Sequence, residues 1–261
     1  MTASVSGAGA TVAAPPRRTL ILGATSAIAA EVAALCAARG DRLWLVGRDA
    51  DKLRALVQSL GPAVVGHARV DFTDFDAATA CVRQAIDGLG GLDRALVAHG
   101  WLPDQARTEH DFAYARAVVD ANFTSVINLL QPLAAHCAAQ RSGHLAVITS
   151  VAGERGRPRN YTYGAAKRGL GCYLEGLRSS LYGRGVRVHD IKLGPVPTPM
   201  SEGHPRNFLW GEKRAVARGI VAAMERRRFA VWLPRRWRLV MAIVRVLPEF
   251  VFQRFGFLAG R

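Results

Sequence analysis

The sequence predicts an α/β fold: a doubly wound domain in which one parallel sheet of seven strands carries helices on both faces. Three observations lead there. Seven short runs rich in Val, Ile and Leu recur along the chain, at 19–23, 42–47, 63–72, 94–100, 144–150, 186–194 and 229–234. Amphipathic helical patterns lie between most of them, at 27–39, 74–88, 109–140 and 162–183, and strands alternating with helices build a parallel sheet covered on both sides. The 261 residues are half hydrophobic, enough for one sizeable core. No internal repeat occurs, and no linker beyond the first 17 residues. The expected organisation is a flexible tail over 1–17, a domain over 18–235 and a basic amphipathic extension over 236–261.

Ligands of such a sheet bind at the carboxyl ends of the strands, near the point where strand order reverses, so the strand ends carry the candidate site residues. The first strand runs into Gly23, Thr25, Ser26, Ala27 and Ile28, small residues that turn the chain into a helix and point backbone N–H groups at a pyrophosphate. Only Gly23 remains of a G-x-x-x-G-x-G pattern, with Ala27 and Ala29 at the later places, so a plain tight turn stays open. The second strand ends at Arg48. A carboxylate there would pair a ribose 2′-hydroxyl, whereas an arginine suits a 2′-phosphate. NADP(H) is therefore favoured, NAD(H) stays possible, and the competing reading has Arg48 solvated beside Asp49 as a helix cap. The third strand ends at Asp71 and Phe72, with Asp71 placed to accept from an adenine amino group; Asp74 and Asp76 read as helix caps.

The fourth strand closes on Ala98, His99 and Gly100. Ala98 and Gly100 are candidate cofactor contacts, and His99 is either a turn residue or a substrate contact. Asn122 falls within the long helical pattern that starts near Glu109. The fifth strand ends at Ser150, followed by Glu154, a candidate substrate contact. Tyr163 and Lys167 come next, four residues apart and hence stacked on one helical face; Tyr161 points elsewhere. After the sixth strand come Val196 and Thr198, then a segment over 199–215 expected to act as a lid. Met200, Phe208 and Trp210 within it would line an apolar channel or pack in the core.

Composition narrows the partners. The net charge is +15, and from Pro205 onward 13 Arg or Lys face 3 Glu, which implies an acidic partner. Four cysteines lie far apart without a C-x-x-C pair, indicating buried thiols in a reducing compartment. Histidines are scattered, so no metal centre is expected. The first residues lack the basic and apolar regions of a signal peptide, and no apolar run is long enough to span a bilayer. A cytoplasmic protein is expected. Arg235, Arg236, Arg238 and Arg245 flank a short apolar run, Leu239 to Val244, with Trp232 and Trp237 nearby. Residues 235–255 thus suit a helix lying on an anionic membrane, the alternative being a helix packed on the domain or in a homo-oligomer. Nucleic acid is not expected, since the basic cluster is interleaved with Val, Leu and Ile and carries no recognition motif.

Together, Gly23, Asp71, Asn122, Ser150, the Tyr163-x-x-x-Lys167 pair and the stretch from Leu193 to Thr198 resemble the short-chain dehydrogenase/reductase family over about residues 18–235. The resemblance implies a Rossmann-type domain that moves a hydride between NAD(P) and a carbonyl. Tyr163 would then be the general acid, its phenol lowered by the Lys167 ammonium, and Lys167 would bond the nicotinamide ribose. Ser150 would hold the carbonyl oxygen and Asn122 a water relay, while Val196 and Thr198 would position the nicotinamide amide. The sequence departs from the family at Ala27, Ala29, residues 97–100 and Leu193. Several stretches, among them 21–29, 150–170 and 185–200, are similar to the branch that reduces a decaprenylphosphoryl 2-keto-pentose in arabinan precursor synthesis. Two alternatives are a soluble reductase of other ketones or oxoacyl groups and a non-catalytic nucleotide-binding protein docked on membranes.

Overall fold

A computed structural model of the protein describes residues 16–201, 207–226 and 228–254. Strand and helix alternate through it. The strands are β1 (Arg18–Leu22), β2 (Arg42–Gly47), β3 (Val64–Arg69), β4 (Arg94–Val97), β5 (Gly143–Ser150), β6 (Val186–Leu193) and β7 (Ala230–Leu233). The helices are α1 (Ala27–Ala37), α2 (Ala50–Leu60), α3 (Phe75–Leu89), α4 (Gln105–His110), α5 (Phe112–Val119), α6 (Ser125–Gln140), α7 (Tyr161–Ser180), α8 (Lys213–Glu225), α9 (Trp237–Val246) and α10 (Glu249–Arg254). All sheet pairs are parallel, in the order β3-β2-β1-β4-β5-β6-β7. The order reverses between β1 and β4, which opens a crevice at their carboxyl ends.

Burial follows from position in the sheet. Central strands are covered on both faces, so β4 is buried throughout and Leu20, Ile21 and Leu22 of β1 are fully buried. Edge strand β3 instead alternates half-buried and exposed residues. One core packs α3, α6 and α7 against the sheet, through residues such as Val82, Leu129 and Leu170. The other packs α1 and α8, through Val32, Ala33, Ile220 and Val221. The helix starts are capped locally: Ser26, Asp49 and Asp74 each accept from a backbone N–H of the helix that follows. Asp76 sits in the first turn of α3, where a negative charge meets the positive helix end.

The long helix expected over 109–140 is instead broken. Asp111 leaves helical geometry and its carboxylate caps α5 by accepting from Tyr114 N. One wide π-type turn, Asp120–Thr124, then separates α5 from α6. Such turns commonly mark functional positions, and this one carries Asn122. Near the carboxyl end of the chain, α9 buries Trp237, Met241 and Val244 in a third cluster with Val151 and Phe252. Cys36, Cys81 and Cys137 are buried thiols and Cys172 is exposed. Among the described residues no cluster of potential metal ligands occurs, and no helix is long and apolar enough to cross a membrane. Residues 1–15 of the expected tail lie outside the described residues.

Candidate active site

Gly23 makes the turn out of β1 with φ of +83°, a conformation costly for any residue with a side chain. A Cβ there would stand 2.7 Å from the backbone nitrogen of His99. The turn therefore presses bare backbone against the end of β4 and opens directly into the start of α1. Ser26 Oγ takes the N–H of Ala29, and no acidic residue occupies the first turn of that helix, so its positive end is available to an anion. Ala29, at a place where the family pattern has glycine, is fully buried in the core; the helix–sheet spacing here accommodates its methyl group. Arg48 is exposed just past the end of β2, where its positive charge helps hold the Asp71 carboxyl down. Asp71 uses Oδ1 for Thr73 N and Oγ1, at 3.0 and 2.7 Å. These two bonds are the main reason its carboxyl is held below the usual range.

Gly100 lies where side chains from the π-type turn and from α7 meet. A Cβ on it would be 3.0 Å from Asn122 Oδ1 and 3.3 Å from Lys167 Nζ. The buried Asn122 clasps the β4 loop: its Nδ2 donates to Trp101 O at 2.8 Å and to Val118 O at 2.9 Å, and its Oδ1 accepts from Trp101 N at 3.0 Å. The π-type turn is what releases Val118 O for this bond. On α7, Tyr163 and Lys167 share one face, with Lys167 Nζ 5.7 Å from the tyrosine ring centre. Lys167 also donates to Ile148 O on β5 at 3.3 Å. Ser150 caps the turn after β5 by accepting from Ala152 N at 3.1 Å, and a Ser150–Tyr163 hydrogen bond draws the phenol pKa downward.

The electrostatics differ from the expectation that Lys167 lowers the phenol. Burial dominates and pushes Tyr163 up to about 12, with Ser150 opposing. Burial also pushes Lys167 down to about 8, against the pull of Asp190. The physical reason for the difference is shared desolvation: a buried ammonium facing the aromatic ring is itself destabilised and does not offset the cost of burying a phenolate.

His99 lies in the loop after β4 and is held by Ser125. Ser125 Oγ donates to Ala121 O at 3.1 Å and so must accept from His99 Nε2 at 2.8 Å. This leaves Nδ1 a buried acceptor with no partner among the described residues. Burial, then Lys167, push the imidazole down to about 3, and the ring stacks on Phe72 at 4.4 Å. Glu154 is not left free for a substrate: it pairs with Lys192 Nζ at 2.8 Å and accepts from Trp232 Nε1 at 3.4 Å. Lys192 also holds Asp190 at 3.1 Å, and Asp190 accepts from Thr149 Oγ1. Sequence reading missed this buried network beneath α7, although two opposite charges two residues apart, and so on one face of a strand, were its signal.

Val196 is buried after β6, and its carbonyl accepts from Ser201 Oγ at 2.6 Å, while Thr198 N donates to that same oxygen at 3.0 Å. Of the expected lid, residues 202–206 lie outside the described residues, as does the side chain of Met200. Phe208 is exposed. The carbonyls of Leu209 and Trp210 accept from Trp237 Nε1 and Arg236 on or beside α9.

The site holds what a dinucleotide requires. A backbone cradle needs glycine at Gly23, a helix start carries no competing acid, and an orphaned buried acceptor on His99 lies next to Asp71 and Gly100. A family profile described as short chain dehydrogenase matches residues 17–207. An uncharacterized oxidoreductase of Mycobacterium tuberculosis is 36% identical over 238 residues, 90% of this chain and 95% of that protein. An uncharacterized oxidoreductase from the mprA 5′ region of Streptomyces coelicolor is 37% identical over 248 residues, 92% and 96% of the two chains. Among solved structures, a Burkholderia cenocepacia short chain dehydrogenase in complex with NADP superposes with a TM-score of 0.74 at 20% identity, covering 89% of this chain and 98% of that one.

Proposed function

Since the chain belongs to the short-chain dehydrogenase family and is an NAD(P)-dependent oxidoreductase, we propose that it reduces a keto group with Tyr163 as general acid. The observation that carries this reading is the meeting of Ser150, Tyr163 and Lys167 beside Gly100 and Asn122, at the sheet crevice. The bound dinucleotide supplies the hydride. A carbonyl that gains a hydride becomes an alkoxide and needs a proton as it forms. Tyr163 keeps its proton because burial holds its pKa near 12, the state a general acid requires. Ser150 Oγ donates to the carbonyl oxygen and steadies its developing charge. Lys167 presents a cation next to the phenol, and Asn122 fixes the loop that bears Gly100. The exposed Arg48 guanidinium favours the 2′-phosphate of NADP(H) over NAD(H); a Burkholderia cenocepacia structural neighbour was solved in complex with NADP.

The substrate we propose is a 2-keto-pentose on a polyprenyl phosphate. Support comes from the sequence stretches that resemble that branch and from the exposed Phe208 on a loop tied to the Arg- and Trp-rich α9. Incubation with NADPH and such a substrate tests both parts. Wild type is expected to oxidise NADPH and Tyr163→Phe to fail. Reduction of simple cyclic ketones with no turnover of the lipid-linked sugar would reject the substrate and keep the chemistry.

A further inference from the structure

Helix α9 is apolar on two opposite faces. Trp237, Met241 and Val244 point into the domain, while Leu239, Ile243 and Val246 point away and are 69%, 53% and 78% exposed. Phe250, just beyond, is 76% exposed. A water-facing row of this size on a surface helix calls for a cover. Beside it, Arg228, Trp232, Arg235, Arg238, Leu239 and Ala242 line a cavity of about 340 Å³ along the outer edge of β7. None of these three arginines has a carboxylate partner among the described residues.

Charge decides between covers. Among the described residues from 228 onward there are six arginines and one carboxylate, Glu249, which already pairs with Arg155 at 2.7 Å. A second copy of this chain meeting the same face by two-fold symmetry would set arginine against arginine. An anionic bilayer satisfies both features: exposed Leu, Ile, Val and Phe enter the acyl boundary while flanking arginines meet phosphates.

We propose that α9 and the adjoining arginine-lined cavity dock on an anionic phospholipid surface, the cavity taking a lipid phosphate headgroup and the row Leu239, Ile243, Val246 and Phe250 entering the interface. This rests on the surface alone and does not depend on the keto-sugar reading. The helix begins at the carboxyl end of β7, and its Trp237 indole occupies the space over Gly194, where a Cβ would stand 2.1 Å from Nε1. Through Trp237 and Arg236 it also grips the loop at Leu209 and Trp210. The docked face thus sits at the same end of the sheet as the candidate active site.

Flotation of the full chain with vesicles of phosphatidylcholine alone or mixed with phosphatidylglycerol, at physiological salt, tests it. Binding is expected only to the anionic vesicles and to persist in millimolar inorganic phosphate. It should weaken roughly tenfold or more in Arg235→Glu/Arg238→Glu and comparably in Leu239→Ser/Ile243→Ser. All four positions are exposed, so melting temperature and NADPH binding should stay at wild-type values, which controls for folding. No flotation of wild type, or flotation indifferent to both variants, would overturn the proposal. So would loss of self-association in Leu239→Ser/Ile243→Ser with vesicle binding intact, which would assign the face to a second copy. Equal affinity for double-stranded DNA, unaffected by the serine variant, would reduce it to plain polyanion attraction.

Discussion

A phenol held near pKa 12 by burial keeps its proton across the working pH range, whereas a lysine held near 8 does not keep its charge. Carbonyl reduction should therefore lose kcat/KM on the alkaline side with an apparent pKa near 8, as Lys167 deprotonates while Tyr163 remains protonated; pH–rate profiles with NADPH check this. Tyr163→Phe should lower kcat by about 10²–10⁴-fold with NADPH affinity retained, as read by steady-state rates and fluorescence titration. Arg48→Glu should shift preference from NADPH toward NADH by about tenfold or more, measured as the ratio of kcat/KM. These positions were legible because each stands at a strand end or on one helical face, where spacing alone sets direction. The pKa values were not legible, because they depend on how deeply the group is buried, and spacing carries no desolvation cost. The tautomer of His99 was likewise not legible, because Ser125, which fixes it, is 26 residues away in sequence.

Turns and strand faces carry the next level of constraint. Gly23 combines a positive φ with backbone contact, so Gly23→Ala should weaken NADPH binding and destabilise the fold by about 1–3 kcal/mol, measured by titration and denaturant unfolding. Lys192→Met would leave Asp190 and Glu154 as buried unpaired carboxylates and should cost about 3–5 kcal/mol; replacement of all three by apolar residues should recover much of that loss. Strand positions were readable from their Val, Ile and Leu runs, and the observed strands fall within two or three residues of them. The break inside 109–140 was not, because an Asp at position 111 fits an amphipathic helix as well as it caps a new one. Only the Trp101 backbone, distant in sequence, gives Asn122 its reason to open the helix there.

At the scale of the whole molecule, burial favours the neutral form of His99, His144 and His189 among the described residues. His144 and His189 lie between β5 and β6 with ring centres 5.2 Å apart and Nδ1 of the first 3.0 Å from Nε2 of the second; both are pushed down to about 4, chiefly by burial, and His99 to about 3. Their folded values lie below the unfolded value of 6.5, so the unfolded chain binds more protons between about 4 and 6.5. Melting temperature should be insensitive to these groups above pH 7 and fall as pH drops from about 6.5 to 4, with a shallower fall in His144→Gln; calorimetry across that window checks the sign. The doubly wound sheet was legible at this scale because the alternation of strand and helix leaves few arrangements. The double-faced α9 was only half legible: its arginines and tryptophans stand out in the sequence, but which apolar residues face outward is fixed by Val151 and Phe252 packing on the other side. The central claim is that Tyr163 gives a proton to an alkoxide made by hydride transfer at this crevice. The most direct measurement follows NADPH deuterated at its transferring position with a keto substrate, in wild type and Tyr163→Phe. The account predicts deuterium on the carbinol carbon in wild type, appearing about 10²–10⁴-fold more slowly in the variant, with NADPH bound in both. Undiminished deuterium transfer by Tyr163→Phe would contradict it.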